Sequence, residues 1–282
     1  MSLSFAPPTP LDYFASLVQS DAQFPLLEAA ASIAMDAYPA LDVQGFLGDV
    51  DLLCARLARK VSGKISALER LQALNQCFFQ DWGFAGNVND YYDADNSYLS
   101  SVLRTRRGIP ISLAILWLEL AQSVQLEVHG VAFPGHFMVK VSLPRGQVLI
   151  DPFTGQSLSR EDLLERLSPF RADAIRGSAD VPLGLYLQAA QPRDIIVRML
   201  RNLKELHTAN GQWQRLLAVQ ERLVIVLPGA WDEVRDRGLA HAECGHAALA
   251  VTDLEAYLGH SHGNGSTEAL SDRLHMLRRT AG

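Results

Sequence analysis

The stretch RRGIPISLAILWLEL, from Arg106 to Leu120, decides the fold prediction. Pro110 is well suited to the first position of a helix, because the N–H group that it lacks would have no partner there. The residues that follow are apolar on almost every side, which is typical of a buried helix. One hydroxyl side chain, Ser112, lies in the first turn. It is either an ordinary helix-start residue or a residue in the position of a nucleophile, and the rest of the chain bears on that choice.

Three β-like segments follow this helix. LEVHGVAF and HFMVKVSL are joined through Pro134-Gly135, and QVLID comes after a PRGQ turn and runs into Pro152. One buried helix followed by sequential strands predicts an α+β unit in which a small antiparallel sheet packs on the helix.

The flanking segments are helical. Apolar residues recur at three- and four-residue steps before Asp81 and again after Arg193. Gly211 and Gly245 are separated by the tetratricopeptide period of 34 residues, and each lies between two helix patterns, which predicts helix-turn-helix hairpins. We therefore predict four segments: an N-terminal helical region (1–83), an α+β core (84–190), tetratricopeptide-like helices (191–260), and a polar linker with a terminal helix (261–282).

Composition excludes several classes of function. The net charge of -6 disfavours nucleic acid as a partner, because phosphate binding relies on clustered Lys and Arg. The chain has no apolar run of the roughly 20 residues needed to span a bilayer, and its start lacks the order of a signal peptide. Its three cysteines show no paired spacing, which predicts the cytoplasm. No cofactor or metal is predicted, since HExxH and glycine-rich phosphate motifs are absent.

Three residues form a candidate catalytic set. Ser112 lies in the first turn of the buried helix, His136 follows Pro134-Gly135, and Asp151 ends the next strand. Neighbouring antiparallel strands can bring His136 and Asp151 side by side, and the helix can point its N-terminus at the same place. This order matches the nucleophile, base and orienting acid of acyl transfer, with helix N–H groups for the oxyanion.

These motifs resemble a known family. The order of helix start, His and Asp-Pro is similar to that of the transglutaminase-like core, a papain-related fold. GNVNDYYDADNSYLSSVLRTRRGIPISLAILWLEL, GVAFPGHFMVKV and LIDPFTG, followed by tetratricopeptide-like repeats, resemble the bacterial SirB-type family of transglutaminase-like proteins, often described as regulators. The resemblance covers roughly residues 84–257. It implies that His136 and Asp151 are the His and Asp of the transglutaminase triad and that the triad's Cys falls at or beside Ser112.

The absence of cysteine at that position leaves two hypotheses. A serine hydroxyl is far less acidic than a thiol, so the usual transglutaminase reaction is not expected. The first hypothesis is a regulatory or binding protein, a pseudoenzyme whose repeat helices contact a protein or peptide. The second is a serine-dependent hydrolase or acyltransferase with a Ser112-His136-Asp151 triad. We favour the first.

Polar and aromatic residues before the helix are further candidates for the cleft. The loop GNVNDYYDADNSY lacks the glycine and glutamate of a calcium-binding EF-hand loop. We predict an ordered loop whose Asx side chains bond to the backbone and whose tyrosines wall the cleft. The cleft and oxyanion candidates are Asn87, Tyr91, Tyr92 and Asn96.

A basic cluster lies between this loop and the helix. Arg104, Arg106 and Arg107 have a charge suited to an acidic ligand. The simpler interpretation, which we favour, is that they complement the C-terminal dipole of the preceding short helix.

Overall fold

A computed structural model describes residues 8–63, 65–174, 182–260 and 267–281. The chain divides into two compact units. The sheet unit comprises Pro25–Ala34 and Ala40–Met199, and the helical unit comprises Met1–Phe24, Met35–Pro39 and Leu200–Gly282. None of the described helices is both long and apolar enough to cross a membrane. The predicted linker at residues 261–266 lies outside the described residues, and the predicted segment boundaries stay predictions.

The helices of the sheet unit are α2 (Leu26–Ser32), α3 (Val43–Lys60), α4 (Ala67–Asn75), α5 (Leu99–Thr105), α6 (Pro110–Ser123), α7 (Arg160–Ala174), α8 (Leu183–Tyr186) and the first part of α9 (Pro192–Ala209). One of them, α6, is buried and packs against α2, α3, α4 and α5. A π-helical segment, Gln76–Asp81, extends α4. The predicted start of α6 at Pro110 is confirmed. Nearly every residue of α6 is buried, and the Trp117 side chain has no exposed surface.

The predicted antiparallel sheet packs on α6. Strands β3 (Glu127–Val131), β4 (Met138–Leu143), β5 (Gly146–Ile150) and β6 (Ser157–Leu158) lie in sequential order, and each pairs antiparallel with the next. A two-residue parallel pair, β1 (Ala85–Gly86) with β2 (Arg107–Gly108), lies before α6. The second face of the sheet packs on α7 through a buried cluster of Val131, Phe133, Met138, Leu149, Leu163 and Leu167. The α+β fold class is therefore confirmed.

The helical unit contains the hairpins that the 34-residue period predicts. Its helices are α1 (Pro10–Leu17), the second part of α9, α10 (Trp213–Val226), α11 (Trp231–Glu243), α12 (Ala247–His260) and α13 (Thr267–Ala281). Gly211 and Gly245 end the turns after α9 and α11 with positive φ angles of 64° and 79°, a conformation that glycine adopts without steric cost. Buried Glu233 accepts from Lys204 at 2.6 Å, which ties α11 to α9.

Candidate functional site

His136 and Asp151 are brought together at one end of the sheet. Asp151 directly follows β5 and is 1% exposed. Its Oδ1 lies 2.8 Å from His136 Nε2 and also accepts the backbone N–H of Phe153 at 2.9 Å. Because an ionised carboxylate only accepts hydrogen bonds, Nε2 carries the hydrogen and donates it. Asp151 therefore makes both a local Asx turn and a contact that orients the imidazole.

A third group, Arg166 on α7, completes the surroundings of Asp151. Its Nη2 lies 3.0 Å from Asp151 Oδ2, so both carboxylate oxygens are paired. Burial acts to raise the pKa of Asp151, but the hydrogen bond and charge of His136, the Phe153 N–H and Arg166 outweigh it. The pKa of the carboxyl group is held below its ordinary value. Asp151 is thus an anion at neutral pH and can hold His136 in one orientation.

His136 is positioned by a turn rather than by a strand. Its backbone N–H donates to the Phe133 carbonyl at 3.1 Å, and β4 begins at Met138, two residues later than predicted. Gly135 supplies the positive φ of 67° that the turn needs. The imidazole is about one-fifth exposed, with a side-chain accessibility of 19%. One ring nitrogen is thus bound to Asp151 while part of the ring faces solvent.

Ser112 is at the third position of α6 and has no exposed surface. Its hydroxyl lies 2.6 Å from the Asn96 carbonyl and 3.0 Å from the Ile109 carbonyl, and it accepts the Ile109 N–H at 3.2 Å. These contacts are those of a residue that satisfies backbone groups at a helix start. Among the hydrogen bonds of the described residues, none joins Ser112 to His136. The catalytic role of Ser112 stays a prediction.

Asn87 and Asn96 belong to the same network as Ser112. The Asn87 side-chain amide donates to the Asn96 side chain at 3.0 Å, while its oxygen accepts the Asp90 N–H. Asn96 donates from its own amide to the carbonyls of Asp90 and Tyr91. The loop is therefore held by Asx side chains bonded to the backbone. The side-chain amide of Asn87, a candidate oxyanion donor, is therefore already bonded to the Asn96 side chain.

The two tyrosines of the loop differ in their surroundings. The Tyr91 ring lies 5.9 Å from the Phe153 ring, close to the backbone group that contacts Asp151. Burial raises the pKa of Tyr91, and the nearby Tyr92 raises it further. The positive charge of Arg198 acts in the opposite direction but is outweighed. Tyr92 is 80% exposed and contacts the edge of Tyr91. Tyr91 is thus the tyrosine that lies against Phe153, two residues after Asp151, and its place in a cleft stays a prediction.

Sequence reasoning missed Arg198 as well as Arg166. Arg198 on α9 donates to the Phe133 carbonyl at 3.1 Å, and its guanidinium lies 5.8 Å from the centre of the Phe137 ring, next to His136. Burial lowers the pKa of Arg198, while the nearby Tyr91 counters this. Phe133 and Arg198 are separated by 65 residues, and no local pattern indicates such a contact.

The described residues include neither a cluster of potential metal ligands nor a cysteine with a lowered pKa. Within the described ranges, no three His, Cys, Asp or Glu side chains are grouped to hold a metal ion. Cys54, Cys77 and Cys244 are free thiols, and burial raises the pKa of each. They are therefore protonated and weakly nucleophilic at neutral pH.

The geometry agrees with the comparisons to known proteins. Residues 44–201 match the model of the transglutaminase-like superfamily. A UPF0162 protein of Xylella fastidiosa strain Temecula1 is 36% identical over 245 residues, which cover 84% of each chain. The chain belongs to the UPF0162 family of transglutaminase-like proteins. A UPF0162 protein of Pseudomonas aeruginosa is 33% identical over 76% of this chain and 77% of its own. The Escherichia coli K12 protein YchA is 29% identical over 83% of this chain and 84% of its own.

The predicted resemblance is thereby confirmed. Residues 203–275 match the tetratricopeptide repeat model, so the transglutaminase-like domain of this UPF0162 member is followed by repeat helices, as the 34-residue period indicated. No solved structure matches the chain.

Replacing Ser112 with alanine tests the contacts at the start of α6. We expect the free energy of unfolding to fall by about 1–2 kcal/mol, because a fully buried hydroxyl loses its bonds to Asn96 and Ile109. Equilibrium urea unfolding measures the change. Ser123→Ala, at the exposed end of the same helix, is the control and should cost less than about 0.5 kcal/mol. Equal effects for the two variants would contradict a structural role for Ser112.

Proposed function

We propose that this protein is a binding protein of the cytoplasm, with a transglutaminase-like domain that no longer catalyses acyl transfer and repeat helices that bind a polypeptide. The observation that carries the proposal is the Ser112 hydroxyl, which is buried and directed at the Asn96 carbonyl. An attacking hydroxyl needs a base within hydrogen-bond reach. The three protonated thiols support the same conclusion, and their free state agrees with a reducing compartment.

Under this proposal the His136-Asp151 pair orients a ligand instead of activating a nucleophile. The paired carboxylate keeps hydrogen on Nε2, which leaves the other ring nitrogen as a fixed acceptor when the imidazole is neutral. Tyr91 supplies an aromatic surface near this pair. Fixed polar groups beside aromatic rings are typical of sites that bind by orientation.

The helical unit supports binding of a polypeptide. A cavity of about 390 Å³ in this unit is lined by apolar Trp213, Leu216 and Leu239 and by charged Lys204 and Arg273. Gln220 also lines this cavity and has no exposed surface. Neither its amide oxygen nor its nitrogen has a hydrogen-bond partner among the described residues. A peptide backbone offers the donor and acceptor that such an amide lacks.

A peptide-display screen against the 282-residue chain tests the proposal. We expect micromolar binders whose affinity falls about tenfold or more in Gln220→Leu, which removes the amide but keeps the size of the side chain. The substitution should leave folding unharmed, because an unpartnered buried amide is replaced by an apolar group. Gln214→Leu, at an exposed position of the same helix, is the matched control and should leave binding unchanged.

The rival hypothesis is a serine-dependent hydrolase or acyltransferase with the Ser112-His136-Asp151 triad. The same protein preparations should therefore be assayed with activated esters and amides. The proposal expects no turnover that differs between wild type and Ser112→Ala. Turnover that disappears in Ser112→Ala, or peptide binding that is equal in Gln220→Leu and wild type, would contradict it.

A further inference from the structure

A second cavity lies between α3 and α5 in the sheet unit. Its volume is about 730 Å³, within the usual range of small-molecule sites, and none of the residues around the His136-Asp151 pair lines it. We call it the α3–α5 cavity. Its walls combine apolar Leu41, Phe46 and Leu52 with the side chains of Arg56, Arg104 and Arg106. The lining also includes the carboxylates of Asp42 and Asp49, so the arginines outnumber the acidic residues three to two.

Arg106 is the most constrained of the three. It has a left-handed backbone conformation with φ of 61°, which is uncommon for a residue with a side chain. Its guanidinium lies over the Phe84 ring, 4.5 Å from the ring centre. The Nη1 atom is shielded from solvent and has no hydrogen-bond partner among the described residues. Arg106 is the C-cap of α5, and its backbone N–H donates to the Val102 carbonyl, but its guanidinium stacks on Phe84. The predicted interaction of its charge with the helix dipole stays a prediction.

The nearby carboxylates leave the positive charge incompletely paired. Asp42 accepts the Gly45 N–H at 2.9 Å as the N-cap of α3. Arg104 is only 3.9 Å from Asp95, at the edge of ion-pair distance. In the part of the chain that the structure describes, no carboxylate is paired with Arg56 or Arg106 at ion-pair distance.

The charges also interact with one another. Burial lowers the pKa of Arg106, and the positive charge of Arg56 lowers it further, whereas Asp49 on the cavity wall acts in the opposite direction. Arg56 and Arg106 line the same cavity, so their like charges repel each other. An anion between two such guanidinium groups would relieve the repulsion.

We propose that the α3–α5 cavity binds a small organic anion, with a carboxylate or phosphate group held by Arg56 and Arg106 and an apolar body that lies against Leu41 and Leu52. The planar fork of arginine matches both head groups, because each presents two oxygens to parallel N–H groups. Leu52 is 57% exposed, and an apolar ligand would cover it. This site is separate from the residues used for the proposed function and does not depend on them.

Isothermal titration of the 282-residue chain with hexyl phosphate, hexanoate, hexanol and inorganic phosphate tests the site. We expect at least one hexyl anion to bind. Hexanol lacks the charge and inorganic phosphate lacks the apolar body, so each should bind at least about tenfold more weakly than that anion. A preference for hexyl phosphate or for hexanoate identifies the head group, and either preference supports the proposal.

Two substitutions on α3 test whether the anion binds in the α3–α5 cavity. Arg56→Gln should weaken binding of the preferred anion about tenfold, and it should fold normally because Arg56 is exposed. Arg59→Gln is the matched control, since it removes another exposed charge from the same helix outside the cavity, and it should change affinity less than about twofold. The proposal is overturned if neither hexyl anion binds at millimolar concentration, if hexanol binds as tightly, or if both variants have the same effect.

Discussion

Replacement of Asp151 with alanine is expected to lower the free energy of unfolding by about 3 kcal/mol. The carboxylate is 1% exposed and accepts hydrogen bonds from His136, the Phe153 backbone and Arg166. Removal of one member of a buried charged network typically costs about 3–5 kcal/mol, because the remaining partners lose their acceptor. The lower end applies here, since Arg166 and His136 retain some access to water. Urea unfolding followed by circular dichroism measures the loss.

An exposed carboxylate on α7 provides the control for this prediction. Glu165→Gln removes the charge adjacent to Arg166 and should change stability by less than about 0.5 kcal/mol. A loss below about 1 kcal/mol in Asp151→Ala would mean that the pair with His136 contributes little to the fold.

The pH dependence of the free energy of unfolding distinguishes loss of the Asp151 charge from a general packing defect. The folded-state pKa of Asp151 lies below its ordinary value of about 3.9. Its contribution to stability is therefore complete above the unfolded-state pKa and is lost as pH falls through the folded-state pKa. Wild type should lose more stability than Asp151→Ala as the pH falls from about 5 to about 2. Parallel pH curves for the two proteins would contradict the role of Asp151.

Trp117→Ala is expected to have an effect of about 3–5 kcal/mol, the range for removing a fully buried tryptophan. Trp117 lies at the centre of α6 with no exposed surface, and it is among the largest fully buried side chains in the described residues. Its indole N–H donates to the Asn75 side chain at 3.0 Å, so the substitution removes both volume and a hydrogen bond between α6 and α4. Thermal unfolding followed by circular dichroism measures the combined loss.

Two milder variants keep most of the packing at Trp117. Trp117→Phe loses the N–H donor but keeps most of the ring volume, and Asn75→Ala keeps the indole but removes the amide that accepts from it. Each should cost about 1–2 kcal/mol. If Trp117→Ala costs no more than Trp117→Phe, α6 is not the packed centre of the sheet unit.

The elements that the sequence predicted correctly are those with a local signal. Pro110 and the apolar run after it define α6, and the alternation within GVAFPGHFMVKV and QVLID defines the antiparallel strands. The contact between His136 and Asp151 could be anticipated, because neighbouring antiparallel strands bring the positions flanking them to the same edge of the sheet. The short strand β6 and the π-helical segment were missed, since each is too short to carry a period.

The rest of the site depends on contacts between distant residues. Arg166 reaches Asp151 from α7, and Arg198 reaches Phe133 from α9, although neither has a sequence motif. The partner of Ser112 depends on how the loop before α6 folds back, so sequence placed the hydroxyl in the first turn but not its direction. The stacking of Arg106 on Phe84 could not be predicted either. It accompanies a left-handed backbone conformation, which an arginine in the sequence does not indicate.

The central claim, that Ser112 supports the start of α6 and does not attack a substrate, is tested most directly by a fluorophosphonate probe. The probe forms a covalent bond with a serine that a neighbouring base activates, and intact-protein mass spectrometry detects the added group. The hydroxyl is buried and bonded to backbone carbonyls, so we expect no mass increase in the folded protein. Labelling of one site per chain that maps to Ser112 and disappears in Ser112→Ala would contradict it.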